Sequence, residues 1–488
     1  MKNFHVAIIG GGVIGSSIAW ELSKYKANII VFEKGSDVAS ETSKANSGVI
    51  HSGINSPNGS LKARFCVEGN KTFQSISNNL GFPVKWVGKY VIAKNQDEVK
   101  ELHRLKKVGK KNEVTGLVII DGDVVNKREP NLTCFQALWV PTAGITLPYE
   151  MTIAFAENAA INDINFSLET KVLNLKKKND TFQIKTNKGS YQSNVLINAA
   201  GINCRNIVSM LEEPDFNVYP CRGEYLVLDK KYYNLVNAMI YPIPPKKLGV
   251  LGVHITPTIE GNILLGPSAE FIDDSSDKKT TKNMMHKILK EAKEIIPNLT
   301  GKDIINAYSG IRCKLVPPEA GGLSDYKIEE SKQTPGLINL AGIESPGLTA
   351  APAIAKYVTK MIFKHSEFKK KKNFKTKKFR IKRFSEMPRI KQSKMIKKDN
   401  NFGRIICRCE HITEAEVIKA LSNPLGAKTI SSVKYRCRAG MGRCQGGFCT
   451  QHIIRIMKEQ FNIDIKDMKL KSPGSNLFYG RNREEEND

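Results

Sequence analysis

Three glycines between two short apolar runs near the N-terminus constrain the fold of this chain most. They follow the first run, 6–9, in the spacing Gly-x-Gly-x-x-Gly, as Gly10, Gly12 and Gly15, and the second run, 29–32, leads directly into Glu33. This order predicts a strand, a tight turn, a helix and a parallel second strand. Glycines let the backbone approach a pyrophosphate, the helix N-terminus attracts negative charge, and Glu33 can bind ribose hydroxyls. The sequence therefore predicts a dinucleotide-binding, Rossmann-like α/β domain.

The second informative feature is a group of cysteines near the C-terminal end. Five of the ten cysteines lie between positions 407 and 449, and they include a Cys-x-Cys pair at 407 and 409 and a Cys-x4-Cys pair at 444 and 449. Two such pairs can offer four thiolates, which suits a 2Fe-2S cluster. Zinc is the alternative, but the one-residue gap of the first pair counts against it, because structural zinc pairs are usually two to four residues apart.

The letters around these cysteines carry a specific resemblance. The segments ICRCEHIT and VKYRCRAGMGRCQGGFC closely resemble the bacterioferritin-associated-ferredoxin-like 2Fe-2S domain over 403–460. The resemblance implies the cluster ligands Cys407, Cys409, Cys444 and Cys449, and it leaves Cys437 as a small buried residue beside the site. Basic residues nearby are expected either to offset the negative charge of the cluster or to form a solvated face. They are Arg408, Lys434, Arg436, Arg438 and Arg443.

A second resemblance covers the first 365 residues. Its segments, in order, are ETSKANSGVIHSG, SLKARFCVEGN, VLINAAG, CRGEYLVL, LGVHITPT, YSGIRCK and AGIESPGLTAAPAIA. This part of the chain resembles the FAD-dependent family of D-amino-acid oxidase, glycerol-3-phosphate dehydrogenase and L-2-hydroxyglutarate dehydrogenase, and the resemblance implies FAD as the cofactor. It also implies cofactor-binding residues beyond the glycine turn and Glu33, namely Ser43, Asn46, Ser47, Gly48, Val172, Gly201, Gly342, Gly347, Leu348 and Thr349.

These features predict an α/β chain of several parts. We expect a discontinuous FAD-binding domain, an antiparallel substrate sheet, a basic connector, a small mainly helical iron-sulfur domain and a polar tail. The expected bounds are 1–365 for the oxidoreductase, made of FAD pieces 1–80, 145–215 and 330–365 and substrate pieces 82–145 and 216–330, then 366–402, 403–465 and 466–488. A late strand at 337–340 and a helix at 349–362, with Pro352 in its first turn, should close the flavin site.

The chain has a formal net charge of +27, which raises the question of nucleic-acid binding. The segment 364–398 holds 16 Lys or Arg against Glu367 and Glu386 and supplies about half of this excess, although biased base composition would have the same effect. It lacks the features of RNA-binding modules, although phenylalanines interleave with its basic residues. We expect a tether or strap on the flavin domain first, contact with an anionic membrane or an acidic partner second, and nucleic acid a distant third.

The cellular location of the protein is inferred from its cysteines and its hydropathy. No apolar stretch approaches the about 20 residues of a membrane span, and the N-terminal run is too short for a targeting peptide. Clustered thiols favour a reducing compartment. The sequence predicts a cytoplasmic protein, with peripheral association at the inner face of the membrane as an alternative.

Oxidation of an alcohol by a flavin needs a base for the hydroxyl proton and a cation for the anionic end of the substrate. The resemblance to glycerol-3-phosphate dehydrogenases implies His254 as the base and Arg312 as the anion-binding residue, since a guanidinium suits carboxylate or phosphate. His51 is expected close to the flavin ring, where orienting the cofactor loop is at least as good an interpretation as catalysis.

Two departures bear on the substrate. Glycerol-3-phosphate dehydrogenases carry an arginine before the Asp-Tyr that matches Asp325 and Tyr326, and a lysine in the late glycine-rich loop, whereas this chain has Ser324 and the run 343–346, Ile-Glu-Ser-Pro. The early segments and LGVHITPT instead resemble L-2-hydroxyglutarate dehydrogenase. The iron-sulfur domain favours glycerol phosphate, because anaerobic glycerol-3-phosphate dehydrogenase subunits carry one, so both substrates stay open.

The resulting hypothesis is a dehydrogenase that oxidises a small anionic hydroxy substrate and passes electrons through a 2Fe-2S cluster to a partner subunit or a quinone-linked acceptor. An amine or amino-acid oxidoreductase on the same scaffold is an alternative. A non-enzymatic electron-transfer or iron-handling module is another, although it would not need the sequence between 82 and 330.

Overall fold

The computed structural model describes residues 2–244 and 252–480. The strands, numbered in chain order, are β1 (Lys2–Ile9), β2 (Ile29–Phe32), β3 (Val49–Ile50), β4 (Val84–Lys85), β5 (Lys89–Ala93), β6 (Val118–Asp121), β7 (Gln136–Val140), β8 (Gly144–Thr146), β9 (Asn165–Ser167), β10 (Val172–Lys178), β11 (Thr181–Thr186), β12 (Gly189–Asn198), β13 (Tyr219–Leu228), β14 (Met239–Pro242), β15 (His254–Pro257), β16 (Ile263–Gly266), β17 (Glu270–Phe271), β18 (Ile304–Lys314), β19 (Lys327–Glu330), β20 (Leu337–Ala341), β21 (Ile405–Cys407) and β22 (Ile412–Thr413).

The α-helices are α1 (Val13–Leu22), α2 (Leu61–Leu80), α3 (Gln96–Lys111), α4 (Gly122–Arg128), α5 (Pro148–Ala160), α6 (Cys204–Val208), α7 (Lys282–Lys293), α8 (Gly347–Ile362), α9 (Arg389–Lys398), α10 (Glu414–Leu421), α11 (Ile430–Cys437) and α12 (Cys449–Phe461). Within the described ranges, none of the helices is long and apolar enough to cross a membrane.

The first domain is built on a sheet whose strands come from distant parts of the chain. Its main path runs β10, β11, β12, β1, β2, β9, and β20 adds to it beside β12. The central strand β1 is parallel to both neighbours, with Val6 opposite Ile29 on one side and Val195 on the other. All four residues of β2 are buried, as in a parallel sheet covered on both faces. This is the expected discontinuous nucleotide-binding fold.

Helices α1, α2, α5 and α8 pack on one another and on this sheet. The late strand and helix form as expected, but α8 begins at Gly347, two residues before the expected start. Pro352 therefore lies in the second turn rather than the first. The helix accommodates it because Pro lacks only one backbone donor, and Pro352 is buried in the apolar contact with α1 and α2.

The second domain is a nine-stranded sheet whose main path is β17, β13, β16, β15, β14, β5, β7, β6, with β18 paired to β13. Its pairings are antiparallel with one exception. Strand β14 is parallel to β5, with Ile240 opposite Tyr90. The expectation of an antiparallel sheet is corrected at this point, because two separated segments meet there, one from 82–145 and one from 216–330, and no hairpin joins them.

The C-terminal domain consists of the hairpin β21–β22 and the helices α10, α11 and α12, and is mainly helical as expected. Helix α10 begins with a capping box in which Thr413 and Glu416 bond to each other's backbone N–H. The segment expected as a polar tail instead packs on this domain through Met468, which is fully buried, and Leu477. Hydrogen bonds from Ile430 N to Lys469 O and from Ser431 N to Leu470 O also hold the segment in place. Residues 481–488, which belong to the same expectation, lie outside the described residues.

The basic connector lies as a strap along α5. Asn162, two residues after the end of this helix, accepts a hydrogen bond from Lys375 N at 2.9 Å and donates one to Lys375 O at 2.7 Å. Asn158, in the last turn of the helix, makes the same pair of bonds with Lys377, at 2.8 and 2.9 Å. Two asparagines four positions apart thus hold alternate residues of an extended segment. This part of the segment is a strap rather than a free tether.

Candidate cofactor and substrate sites

The glycine turn joins β1 to α1. Gly10 has φ +110°, and a Cβ there would lie 2.4 Å from Ala199 O. A Cβ at Gly15 would lie 1.9 Å from Gly10 O, whereas one at Gly12 would meet only Ser43 Oγ, at 3.1 Å. Gly10 and Gly15 are thus required by the protein's own packing. Gly12 leaves open space at the N-terminus of α1, where a pyrophosphate would bind.

The carboxylate of Glu33 lies at the end of β2, close to this turn. Its Oε2 accepts a hydrogen bond from Gly11 N at 2.7 Å, and its Oε1 accepts one from Gly35 N at 2.6 Å. Burial raises the pKa of Glu33, and these two N–H donors oppose part of that rise. Both oxygens keep acceptor capacity for ribose hydroxyls.

The loop 42–48 crosses the mouth of the turn. Ser43 Oγ accepts a hydrogen bond from Val13 N at 2.8 Å, and Asn46 O accepts one from Tyr308 OH at 3.0 Å. Gly310 on β18 packs so closely that an added Cβ would lie 2.0 Å from Ala45 O. The long strand of the second domain thus fixes the loop that faces the nucleotide end.

One cavity of about 1550 Å³ connects the two domains. It exceeds the about 300–1,000 Å³ usual for one small ligand, so it can hold a dinucleotide and a substrate together. All three expected catalytic residues line it, together with Gly10, Gly12, Glu33, Ser43, Asn46, Ser47, Val172, Gly201, Gly347 and Leu348.

Four expected cofactor-binding residues stand behind the cavity wall rather than on it. They are Gly15, Gly48, Gly342 and Thr349. Gly48 (φ +68°) packs against Thr146 O, and Gly342 (φ +69°) packs against Leu315. Thr349 Oγ1 accepts a hydrogen bond from His51 N at 2.9 Å. Their contribution is to shape and hold the wall.

His254 lies on β15 with 2 % of its surface exposed. Its Nδ1 lies 3.2 Å from Gly252 O, and its ring stacks on Tyr241 with 4.0 Å between centroids. A proton on Nδ1 leaves Nε2 as an acceptor, and within the described residues Nε2 has no hydrogen-bond partner. Burial lowers the pKa of His254 to about 3, so the ring is neutral in the free protein.

His51 directly follows β3, and both its ring and its backbone are hydrogen-bonded. Its Nε2 is 3.2 Å from Ser345 Oγ, and its backbone is held by Thr349. Burial lowers the pKa of His51 to about 3, with help from the charges of Lys89 and His254. An orienting role therefore fits His51, whose Nε2 is engaged by Ser345, better than it fits His254, whose Nε2 has no partner within the described residues.

Arg312 lies on β18. One of its guanidinium nitrogens, Nη2, donates to Ser268 O at 3.1 Å, and Nη1 lies 3.7 Å from Cys221 Sγ. An added Cβ at Gly223 would lie 2.7 Å from Nη2, so a glycine makes room for the guanidinium. Among the described residues no carboxylate forms an ion pair with Arg312, which leaves its charge available to an anion in the cavity.

The sequence departures have a structural counterpart. Glu344, in the run 343–346, forms ion pairs with Lys62 at 2.9 Å and with Lys314 at 3.1 Å, and all three side chains are buried. Asp325 accepts hydrogen bonds from Leu61 N and Lys62 N at the start of α2. Glu344 therefore neutralises two buried lysines beside the cavity.

Lys89 is a cavity residue that sequence reasoning missed. It is 4 % exposed, and its Nζ lies 4.7 Å from the ring centroid of Tyr241. Burial lowers the pKa of Lys89 to about 8. The available signal was a charged residue at the start of the apolar run 90–93.

The expected cluster ligands come together as two pairs. Cys407 and Cys449 are both 1 % exposed, and their free thiols are hydrogen-bonded to each other. The exposed Cys409 and Cys444 form a second hydrogen-bonded pair of free thiols. Hydrogen bonding to Cys449 lowers the pKa of Cys407 to about 6. In the described part of the chain, no three His, Cys, Asp or Glu side chains are arranged to hold one metal ion. Paired thiols fit a two-iron cluster better than a single zinc, which needs four donors around one point.

Backbone donors surround these thiols. Gly440 N and Glu410 N bond to Cys407, and Phe448 N and Gly446 N bond to Cys444. Hydrogen bonds to sulfur stabilise thiolates and raise the potential of a cluster. Cys437, in contrast, bonds to Val433 O of its own helix at 3.3 Å, which is the buried role expected for it.

Two of the arginines expected around the cluster form ion pairs with buried carboxylates. Arg436 pairs with Asp37 and Glu157 of the first domain, and Arg438 pairs with Glu410 at 3.1 Å. Both are under 9 % exposed, so neither is a solvated face. The charge of Arg436 is taken up by carboxylates across the domain boundary, and this arginine docks the C-terminal domain. The sequence could not reveal this because the partners are remote.

Comparisons with known proteins agree with these sites. Residues 5–361 match the family described as FAD dependent oxidoreductase, and residues 405–459 match the BFD-like [2Fe-2S] binding domain. These matches give the chain FAD and a 2Fe-2S cluster as its cofactors.

Similar proteins include relatives of both substrate types. A glycerol 3-phosphate dehydrogenase of Caloramator mitchellensis is 39% identical and covers 99% of each chain. A mitochondrial L-2-hydroxyglutarate dehydrogenase of Arabidopsis thaliana is 32% identical over 72% of this chain and 82% of its own. Among solved structures, the L-alpha-glycerophosphate oxidase of Mycoplasma pneumoniae with FAD bound has a TM-score of 0.72 and 29% identity, covering 77% of this chain and 98% of its own.

Proposed function

This chain belongs to the family of FAD dependent oxidoreductases, and we propose that it oxidises a small hydroxy compound that carries an oxyanion. One observation carries this proposal: His254 Nε2, without a partner among the described residues, and the Arg312 guanidinium, without a carboxylate there, face the same cavity as the glycine turn. A proton acceptor and a free cation are the two groups that such a substrate needs. When bound, FAD accepts a hydride and the 2Fe-2S cluster carries electrons away singly.

His254 is the base in this proposal. With Nδ1 held at Gly252 O, its Nε2 lone pair is directed to a substrate hydroxyl, and stacking on Tyr241 keeps the ring in place. Burial keeps the free ring neutral. The negative charge of an incoming substrate raises the affinity of Nε2 for the proton, since opposite charge favours the imidazolium form.

Arg312 binds the anionic end of the substrate. Ser268 O and Cys221 Sγ hold one edge of the guanidinium, so its remaining N–H groups are oriented before the anion arrives. His51 orients the loop next to the flavin through Ser345 and Thr349. The cofactor residues proposed to touch FAD are those that line the cavity, with Gly12 at the pyrophosphate and Glu33 at a ribose.

Glycerol 3-phosphate is the leading substrate, because the Caloramator relative that shares both domains over its full length is a glycerol 3-phosphate dehydrogenase. L-2-hydroxyglutarate is the second candidate substrate. The ion pairs of Glu344 with Lys62 and Lys314 favour it over glycerol 3-phosphate. These pairs use Glu344, in the run that lacks a phosphate-binding lysine, to neutralise one lysine on α2 and one on β18. The acceptor is proposed to be an electron-transfer protein subunit or a quinone-linked chain in the cytoplasm or at the inner face of the membrane.

Anaerobic reduction of the bound flavin tests the proposal. The protein with both cofactors is mixed with glycerol 3-phosphate, L-2-hydroxyglutarate and other hydroxy acids, and with a matched set of amino acids. Bleaching of the flavin absorbance by one of the first two compounds is expected. Bleaching by amino acids alone would replace the proposal with an amino-acid oxidoreductase, and no bleaching by any member of the panel would favour a non-enzymatic electron carrier.

A further inference from the structure

Lys89 occupies an unusual place in the second domain. It begins β5, which lies parallel to β14, and Lys89 itself is opposite Met239 in this pairing. The pairing brings its ammonium over the ring of Tyr241, two positions further along β14, with 4.7 Å between Nζ and the ring centroid. Lys89 also lines the large cavity. A buried lysine therefore points its charge toward the substrate end of the cavity.

The ammonium of Lys89 lacks a protein anion. In the ranges 2–244 and 252–480, no carboxylate forms an ion pair with it and no oxygen accepts a hydrogen bond from it. Other buried cations are paired: Lys62 and Lys314 share Glu344, and Arg222 binds Glu270 and Asp277. Burying an unpaired charge is costly, and proteins normally compensate it with a partner. The missing partner of Lys89 is expected to be a ligand.

Two neutral groups beside Lys89 are also without partners. His254 Nε2 and Tyr241 OH are both buried and make no hydrogen bond within the described residues. The two rings stack on each other at 4.0 Å, and both residues line the cavity. One cation without an anionic partner and two buried polar atoms without hydrogen bonds, all within the described residues, thus belong to residues that line one cavity. Such a set is a built site for a polar, negatively charged group.

We infer that Lys89 is a substrate-binding residue whose ammonium holds an oxyanion of the substrate, and that it selects dianions together with Arg312. This inference rests on the proposed function and names its specificity. Lys89 and Arg312 bring two positive charges without carboxylate partners into one cavity. A dianion, whether a phosphate monoester or a dicarboxylate, matches that charge, and a monocarboxylate leaves one cation unmatched.

The ionisation of Lys89 gives an independent measurement. Burial lowers the pKa of Lys89 to about 8, so its charge is lost as the pH rises above that value. The groups around it are Cys66, whose pKa burial raises to about 12, Tyr241, whose pKa burial also raises, the two histidines with pKa values lowered to about 3, and the cation Arg312. None of them changes charge near pH 8. Burial also lowers the pKa of Lys44 to about 8, but Lys44 does not line the cavity. Dianion binding should therefore weaken above about pH 8 as Lys89 loses its charge.

Binding is measured by titrating the oxidised holoenzyme with non-reacting anions and following the flavin absorbance. The probes are inorganic phosphate, 2-oxoglutarate and, as a monoanion, propionate. Lys89→Met keeps the length and apolar stem of the side chain and removes the charge. It should raise the Kd of a dianion by roughly 30-fold or more, as expected when one partner of a buried charge pair is removed, and should change that of propionate less. Lys94→Met removes an exposed lysine that directly follows β5 and is the matched control.

The outcomes distinguish a phosphate ester from a dicarboxylate as the ligand, and they test the role of Lys89 separately from the proposed function. A loss of affinity for phosphate alone indicates a phosphate ester, and a loss for 2-oxoglutarate alone indicates a dicarboxylate; either supports the assignment. Unchanged Kd values for both probes in Lys89→Met overturn it, and so does wild-type binding of 2-oxoglutarate that is constant from pH 7 to 9.5. The pH series needs no variant, so it decides the matter even if Lys89→Met fails to fold. Should no hydroxy compound bleach the flavin, the proposed function fails while these Kd values still judge Lys89.

Discussion

Arg436 in the C-terminal domain donates a hydrogen bond from Nε to Glu157 Oε1 on α5, with 2.8 Å between the atoms, although 279 positions separate the two residues. Both side chains are buried, and the same guanidinium also binds Asp37, in the loop that follows β2. Asp37 lies four positions beyond Glu33, so the ion pair joins the cluster domain to the nucleotide end of the cavity.

Replacing Arg436 with Met should lower the free energy of unfolding by roughly 3–5 kcal/mol, because two carboxylates stay buried without their cation. Denaturant titration measures the change. Arg455→Met, at an exposed site on α12, is the control and should change stability by less than about 0.5 kcal/mol. Equal stability of the two variants would mean that the buried pair does not hold the domains together.

Gly12 and Gly15 should respond differently to the same substitution. Gly12→Ala places a methyl group only 3.1 Å from Ser43 Oγ, so the protein should fold but lose FAD, whereas Gly15→Ala places it 1.9 Å from Gly10 O and should destabilise the fold itself. Glu33→Ala should weaken FAD binding less than Gly12→Val. Flavin content per chain and thermal unfolding of each variant distinguish the two effects, and stoichiometric FAD in Gly12→Val would refute the role of Gly12.

Cys409→Ser or Cys444→Ser should remove the iron and leave the FAD, since the thiols lie in a different domain from the cavity. Cys437→Ser should keep the iron, because its thiol bonds within α11. Metal analysis, together with the visible spectrum of the wild-type protein, checks both statements. One zinc per chain and no iron in the wild-type protein would contradict the cluster.

His254→Ala should slow anaerobic flavin reduction by roughly 100-fold, the usual contribution of a positioned base. Burial lowers the pKa of His254 to about 3 in the free protein, so the wild-type rate at low substrate concentration, which reports the free protein, should lack an inflection near the ordinary value of about 6.5. Arg312→Lys should mainly weaken substrate binding. Stopped-flow bleaching measures all of these. Normal reduction in His254→Ala with slow reduction in His51→Ala would transfer the role of base to His51.

Glu150 on α5 should make stability depend on pH. Burial raises its pKa to about 7 from an ordinary 4.5, although Arg380 opposes the shift. The folded state then binds a proton more tightly than the unfolded state, so stability from this group is full below about pH 4.5 and is lost as the pH rises through 7. Thermal unfolding at pH 5 and 8 should therefore differ less in Glu150→Gln than in the wild type. Glu319→Gln, at an exposed site, is the control and should reproduce the wild-type difference.

The sequence predicted best what local patterns determine. The glycine turn, the second strand before Glu33 and the four-cysteine set are contiguous signals, and each has a direct physical reason in the structure. The two-domain plan was also predictable, because it follows from a recognisable order of segments.

Features that depend on remote pairing were not predictable. Lys89 reads as one more lysine in a lysine-rich chain until β5 pairs with β14 and brings it to Tyr241. Arg436 reads as a charge on a helix near the cluster until Glu157 is found opposite. The tail was misjudged for a similar reason, since a single methionine, Met468, inserts into the core of α11 and α12.

The pairing of β20 with β12 has a consequence for the synthesis of the protein. Leu337 lies opposite Leu196, and α8, which follows β20, packs against α1 and α2 from the first eighty residues. The flavin-binding half therefore cannot close on the ribosome until residue 362 has left the exit tunnel. The iron-sulfur module, whose core is drawn almost entirely from 406–468, has mostly short-range contacts to form and emerges after the flavin-binding half. Nascent chains released before position 337 should lack a closed flavin site, whatever the supply of FAD.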